Sequence, residues 1–301
     1  MRETYGKLLP GMRLSDMPGK LIVLEGTDGA GRTTQINMLK PWLEELGRAV
    51  LDTGMTRSPL AGEGIRRAKE GNNLGRVTQS LFYATDFIDR LENEIVPALR
   101  AGFIVLTDRY IYSLMARAIV RGVDSAWIRS LFSVALKPDA VFYLRITLDQ
   151  LIPRVVFSRG FDYWESGMDV YSGHDMYENF CRYQSALLAE FDALSTEFGF
   201  ETIDASADEK VVMAQLKAKI LRILDADCRK MAVAAAPAYQ APKTSSYLEE
   251  PTIARLREAW KGLDRLLQPA TANAAAGNGN GNGNGNGNGN GHSNGNGAIH
   301  K

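Results

Sequence analysis

KLIVLEGTDGAGRTTQINML, from Lys20 to Leu39, is the stretch around which the rest of the chain is organised. Leu21, Ile22, Val23 and Leu24 form a short apolar run, as a strand buried on both faces would. Gly26, Gly29 and Gly31 follow at once. From Thr33 and Thr34 onward Ile36, Leu39, Leu43 and Leu46 recur at helical spacing. Glycines let the backbone curl so that successive N–H groups converge, and the helix end adds roughly half a positive charge. Strand, loop and helix N-terminus together make a phosphate cradle. The spacing Gly26-x4-Gly31-x-Thr33 is that of a Walker A loop, with Arg32 where a lysine is expected.

Outward from this stretch, Arg48–Thr53 reads as a second strand, and Pro41 is expected to kink or shorten the helix before it. Thr56, Arg57, Ser58 and Pro59 form a loop. A helix is expected over Arg76–Arg100, stopped by Gly102, and Phe103–Leu106 is a third buried strand ending in Thr107-Asp108-Arg109-Tyr110. Helical stretches at Ile111–Arg121 and Asp124–Leu136 precede a strand at Ala140–Leu144. Then come a helix from about Leu148, a polar and aromatic stretch over Ser158–Asp175, a long helix to Phe198, a strand at Phe200–Ile203 and a helix at Lys210–Leu224. Apolar strands separated by helices imply a mainly parallel sheet covered on both faces, with ligands beyond the carboxyl ends of its strands. The glycine loop, Arg57 and Asp108-Arg109 all fall there.

The chain has 301 residues, 45% of them hydrophobic, enough for one large core or two small ones. Lys and Arg total 35 and Asp and Glu total 35, so no global field argues for a nucleic-acid or membrane partner. Cys181 and Cys228 have no CxxC partner and read as incidental thiols of a reduced, cytoplasmic protein. No run is long enough for a membrane span, and the N-terminus lacks a signal-peptide core. Of three histidines, His292 and His300 lie in the tail and only His174 in the body, which argues against histidine catalysis or a histidine-rich metal site. Residues 1–19 read as an N-terminal extension. Residues 227–251 read as a linker rich in alanine and proline. Over 252–268, Ile253, Leu256, Trp260, Leu263 and Leu267 form one apolar seam, either packed back on the domain or offered to a docking partner. Residues 269–301, with alternating Gly and Asn, are too polar to form a core.

Phosphoryl transfer needs charge neutralisation and alignment more than covalent help. N–H groups from Asp28 to Thr33 would hold phosphates, and the Thr33 hydroxyl and Asp108 would hold Mg²⁺ or its water shell. The alternative for Asp108 is a cap on the next helix. Arg57 and Arg109 suit the acceptor's phosphate, since guanidinium forks match phosphate oxygens. Asp28 either orients the acceptor or braces the turn.

GTDGAGRTT after a strand, TRSP, LFYATD, the strand-ending DRY, KPD and a later arginine-rich segment together resemble the thymidylate kinases, over about Lys20–Ala226. The resemblance implies an α/β, P-loop NTPase-like three-layer fold of the nucleoside-monophosphate kinase type, with a five-stranded parallel sheet and a lid. It implies transfer of the ATP γ-phosphate to dTMP, giving dTDP, with Mg²⁺, in a homodimer formed through helices flanking the active-site helix. By the same resemblance Gly26, Thr27, Asp28, Gly29, Ala30, Gly31, Arg32, Thr33 and Thr34 match the ATP phosphate site. Arg57 and Arg109 match monophosphate-binding arginines, Asp108 the acid beside the metal, Tyr83 the ring stacked on thymine, and Arg154 and Arg159 the lid arginines. Tyr83 has a core-packing alternative, and Arg159 a solvated one.

The departures gather at the acceptor. Phe87 stands where relatives of this kind carry an arginine, Arg117 where an aromatic packs on the sugar, and Ser58 replaces a glutamate. Leu144-Arg145 stands where an acid often follows the strand, and Arg32 replaces the loop lysine. A positioned arginine is worth about 2–4 kcal/mol of transition-state stabilisation. The leading expectation is therefore a kinase with dTMP first among acceptors. A nucleotide-binding regulatory or scaffold protein with a relaxed site, and a kinase for another acceptor, are the alternatives.

Overall fold

The computed structural model describes residues 2–6, 13–71, 74–171, 173 and 175–235. The seam at 252–268 and the tail at 269–301 lie outside the described residues. Five strands, β1 Lys20–Glu25, β2 Val50–Gly54, β3 Ile104–Asp108, β4 Ala140–Arg145 and β5 Glu201–Asp204, make one parallel sheet in the order β2-β3-β1-β4-β5. The helices are α1 Arg32–Glu45, α2 Gly62–Glu70, α3 Arg76–Arg90, α4 Val96–Arg100, α5 Ile111–Val120, α6 Ser125–Leu131, α7 Leu148–Ser158, α8 Met176–Phe198 and α9 Glu209–Ala235.

Alternation along the strands divides the core in two. Leu21, Val23, Val105 and Tyr143 face one layer, packed with Phe87 and Leu91 near α3, Leu114 of α5 and Leu187 of α8. Ile22, Leu24, Leu106 and Phe142 face the other, with Ile36 and Leu39 of α1, Leu151 of α7 and Leu216 of α9. Both faces of β1 are shut off from water, which is why its sequence is apolar without alternation. The result is a three-layer α/β sandwich whose strand order reverses beside β1, where open sheets of this kind form their ligand crevice.

Several expectations shift. Pro41 neither ends nor shortens α1, which runs on to Glu45, because Leu39 and Leu43 on either side of it are fully buried and fix the helix from outside. The helix expected over Arg76–Arg100 is interrupted by one wide π turn at Leu91–Ile95 before α4 continues it. The helix expected over Asp124–Leu136 is the short α6: the Asp124 side chain caps it by accepting from Trp127 N at 2.7 Å, and Leu136 instead bridges to Thr4. That bridge, Tyr5 N on Ala135 O at 3.1 Å and Arg2 on Asp139 at 2.9 Å stitch the N-terminal extension onto the domain. Finally, α9 extends to Ala235, so the expected linker start at residue 227 falls inside a helix.

Candidate active site

The loop after β1 turns on three glycines in the left-handed half of backbone space, with φ of 144° at Gly26, 89° at Gly29 and 92° at Gly31. A side chain at Gly26 would run into the Leu144 carbonyl, so this turn admits glycine alone. No side chain caps α1 at Gly31, which leaves the N–H groups of the first helical turn free for an anion. Arg32 does not extend into that cradle. Its guanidinium folds back, Nε donating to Asp108 Oδ1 at 2.7 Å and Nη1 to the carbonyls of Gly26 and Thr27, each at 2.5 Å. Thr33 Oγ1 donates to the other oxygen of the same carboxylate at 2.8 Å. Parallel pairing of β1 and β3, with Leu24 opposite Asp108, brings these residues together.

The second half of the site is the turn after β3. Arg109 holds a left-handed backbone, φ 70°, that a non-glycine residue adopts at a cost of about 1–3 kcal/mol. Its N–H bonds to Leu24 O at 3.0 Å, and Thr107 Oγ1 donates to its carbonyl at 2.7 Å. Glu25, at the end of β1 and fully buried, accepts from Tyr110 N at 2.8 Å and from the Ser113 hydroxyl at 2.5 Å. Burial pushes its carboxyl above the usual range. This glutamate anchors the turn, a role the sequence reading missed; a charge closing an apolar strand was its only signal.

Asp28 is the hinge between the halves. Its carboxylate pairs with Arg109 and with Arg117, and Arg32 Nη2 lies 3.6 Å away. Three guanidinium groups around one loop carboxylate leave positive charge over. The Nε atoms of Arg109 and Arg117 are buried without a hydrogen-bond partner, as is Thr27 Oγ1. Burial, then the neighbouring Arg117, depress the Arg109 pKa to about 9. Buried donors of this kind call for an acceptor, and an anion with several oxygens supplies one.

Two hollows flank this centre. One is a groove of about 520 Å³ bordered by Gly29, Gly31, Thr34, Arg154, Ser206 and Asp208, large enough for a nucleotide. The other lies among α2, α3 and α5 under the strap Asp162–Tyr171, and Lys69, Tyr83, Arg117 and Trp164 line it. It is closed to about 10 Å³, room for about one water. Trp164 Nε1 fastens the strap by donating to Lys69 O at 3.0 Å.

Of the expected site residues, Asp28, Arg32, Thr33, Asp108, Arg109 and Arg117 meet, and Tyr83 lines the closed pocket. Phe87 does not: it is fully buried, edge-on to Tyr110 and Phe132, and belongs to the core. Arg57 is half-exposed and pairs with Asp52 at 2.9 Å. Its loop is held from below by Asp86, which accepts from Thr56 N at 3.0 Å and Ser58 N at 2.9 Å. Ser58 accepts from the N–H groups of Leu60 and Ala61, which shapes the entry to α2. Arg154 borders the groove and is anchored on Ala205 O, whereas Arg159 is exposed and paired with Glu165 at 2.6 Å.

Thr33 and Asp108 offer one hydroxyl and one carboxylate side by side. That suits Mg²⁺, which takes a few protein oxygens and completes its shell with water and phosphate. Among the described residues no cluster of three or more His, Cys, Asp or Glu side chains is poised for a metal of any other kind. No helix of the described residues is long and apolar enough to cross a membrane.

Fold and site together define a P-loop phosphotransferase of the nucleoside-monophosphate kinase build, with two hollows flanking the phosphate loop. Comparison with known proteins narrows the class. The thymidylate kinase family profile matches residues 24–215. "Probable thymidylate kinase 2" of Saccharolobus solfataricus is 39% identical over 207 residues, 68% of this chain and 96% of the relative. "Thymidylate kinase" of Brachyspira hyodysenteriae is 28% identical over 204 residues, 66% of this chain and 92% of the relative. "Probable thymidylate kinase" of Pyrococcus horikoshii is 34% identical over 145 residues, 46% of this chain and 71% of the relative. The chain belongs to the thymidylate kinase family.

Proposed function

We propose that this protein transfers the γ-phosphoryl group of ATP to dTMP, yielding dTDP and ADP. A phosphate oxygen of dTMP attacks the γ-phosphorus as its bond to the β–γ bridging oxygen breaks, so protein catalysis reduces to alignment and charge. N–H groups of the loop from Asp28 to Thr33 hold the donor phosphates, and Arg154 borders the same groove. Arg109 and Arg117 hold the acceptor phosphate, with Asp28 keeping their forks apart and aimed. Thr33 and Asp108 would hold Mg²⁺, which when bound neutralises the charge that develops on the β- and γ-oxygens.

One observation carries this reading: the two buried, unpartnered Nε donors of Arg109 and Arg117, set against the loop that bears Thr33. A regulatory or scaffold role has no comparable support. The homodimer is a further part of the proposal, favoured by Leu60, Val77 and Leu81, which are apolar and exposed around α2 and α3; sedimentation at twice the monomer mass checks it. A cytoplasmic location fits the free thiol of Cys181. The deciding experiment is a coupled ADP-release assay with ATP, Mg²⁺ and a panel of nucleoside monophosphates. We expect dTMP to be the preferred acceptor. ATP binding without transfer to any of them would overturn the proposal.

A further inference from the structure

The N-terminal extension reaches the back of the site through two tyrosines. Glu3, Thr4 and Tyr5 run antiparallel to residues 135–137. Lys137 N donates to Glu3 O at 2.7 Å and Tyr5 N to Ala135 O at 3.1 Å, with Thr4 opposite Leu136. The residue between two such bonds turns its own peptide groups away from the neighbouring strand. The Leu136 carbonyl accordingly points the other way, where it accepts from the Tyr110 hydroxyl at 3.0 Å. The Tyr5 ring stands edge-on to Phe198 at 5.3 Å and to Tyr112 at 6.2 Å, and the Tyr5 and Tyr112 hydroxyls share a hydrogen bond of 2.5 Å. Tyr110 and Tyr112 are both fully buried.

Both tyrosines belong to the stretch that carries Arg109 and Arg117. Tyr110 follows Arg109 directly, its N–H on Glu25 at 2.8 Å, and Tyr112 lies in the first turn of α5, the helix that bears Arg117. The left-handed backbone of Arg109 persists only where its surroundings hold it. Asp28 grips the two guanidinium groups from the front. The extension meets their backbone from behind. We propose that Tyr5 is a positioning residue for the acceptor: it fixes Tyr110 and Tyr112, and through them the reach of Arg109 and Arg117. Arg2 anchors the same extension, donating to Gly19 O at 2.6 Å and pairing with Asp139 at 2.9 Å. This rests on the assignment of the two arginines to the acceptor phosphate and deepens it.

The test reads binding, by calorimetry on the full chain. Tyr5→Ala should weaken dTMP about 3–10-fold and leave ATP affinity in place, well inside the roughly hundredfold that a 1 Å displacement can cost. Calorimetry reports the amount of competent protein separately from its affinity. An extension that merely stapled the fold would therefore lower the melting temperature and move neither affinity, and that result sinks the assignment. Equal weakening of both ligands sinks it too. Wild-type protein gives a second arm that needs no variant. Coupling in binding is reciprocal, so dTMP should slow hydrogen exchange at the Tyr5 and Lys137 amides by about the same factor, and ATP with Mg²⁺ should not. Unchanged exchange, or equal slowing by both ligands, overturns the proposal. Protein that phosphorylates dTMP with neither affinity moved in Tyr5→Ala keeps the kinase reading and loses this one. Protein that transfers no phosphate, yet slows exchange at those two amides when inorganic phosphate binds, does the reverse.

Discussion

The half of the crevice proposed for the donor and the half proposed for the acceptor differ in how they are held together. In the donor half the charged groups are paired with one another or with the backbone: Arg32 lies on Asp108 and on the Gly26 and Thr27 carbonyls, and Thr33 on Asp108. In the acceptor half the Nε donors of Arg109 and Arg117 remain unfilled, and Lys69 is half-buried with its ammonium held below its usual pKa, chiefly by burial and then by Arg117. One half closes on itself through an internal cation; the other is arranged around an anion that comes from outside. The lesson is that an arginine in the phosphate loop is a different device from a lysine there. A fork satisfied by fixed carbonyls braces the loop, whereas a compact ammonium is free to follow the phosphates.

The largest effect should come from the residue the halves share. Asp28→Ala leaves Arg109 and Arg117 side by side with no carboxylate between them. Breaking a buried pair from one side costs about 3–5 kcal/mol, and urea unfolding should show a loss of that order. Millimolar dTMP or inorganic phosphate should restore more stability to the variant than to wild type, because the anion replaces the missing charge. A loss below about 1 kcal/mol would mean that the cluster is already well solvated, and the contrast between the halves would be gone.

Arg32→Lys should have a smaller effect, confined to the donor half. An ammonium cannot reach Asp108 and both loop carbonyls in the same geometry, so nucleotide-free protein should lose about 1–3 kcal/mol. The deficit should shrink when ATP and Mg²⁺ are bound, and turnover should fall while the KM for dTMP stays put. A large rise in turnover would instead mark Arg32 as a decayed lysine and the brace as incidental. Thermal melts with and without nucleotide, beside steady-state rates, separate these outcomes.

What could be read in advance was what depends on short range and on strand order. β1, the loop and α1 are contiguous, and their glycines, apolar run and helical spacing each act locally. Thr33 and Asp108 fall together because the strands of a parallel sheet, here β1 and β3, end at the same edge. Depth along a helix face was not legible. Gln79, Tyr83 and Phe87 form a single stripe on α3, yet the first two line the pocket while Phe87 is sealed between Tyr110 and Phe132. The resemblance assigns Phe87 to the acceptor pocket, whereas its ring packs in the core. For Arg57 and Arg159 the limit is related: order along the chain and the resemblance set an arginine near the crevice, and only the structure shows the carboxylate each rests on, Asp52 or Glu165. Pro41 was read from local propensity, and the burial of Leu39 and Leu43 overrode it.

The smallest expected effect is a proton. Burial, followed by Arg117, brings the Arg109 pKa down to about 9, far under the ordinary guanidinium value. The sign follows from linkage. Below pH 9 the group is charged in both folded and unfolded chains, and the folded protein bears the cost of burying it. Between 9 and its unfolded value the folded chain sheds the proton first, so this site's contribution to stability rises with pH. Acceptor binding runs the other way. The phosphate of dTMP is a dianion above neutrality and needs Arg109 charged, so binding near pH 9 should draw a proton from solution. Calorimetric titration of dTMP in two buffers of different ionisation heat, at pH 9 and at pH 7.5, should show uptake of part of a proton at the higher pH and little from this arginine at the lower. ATP binding, which engages the self-satisfied half, should show no such change between the two. Equal uptake with both ligands would place the titrating cation outside the acceptor cluster and undo the division between the halves.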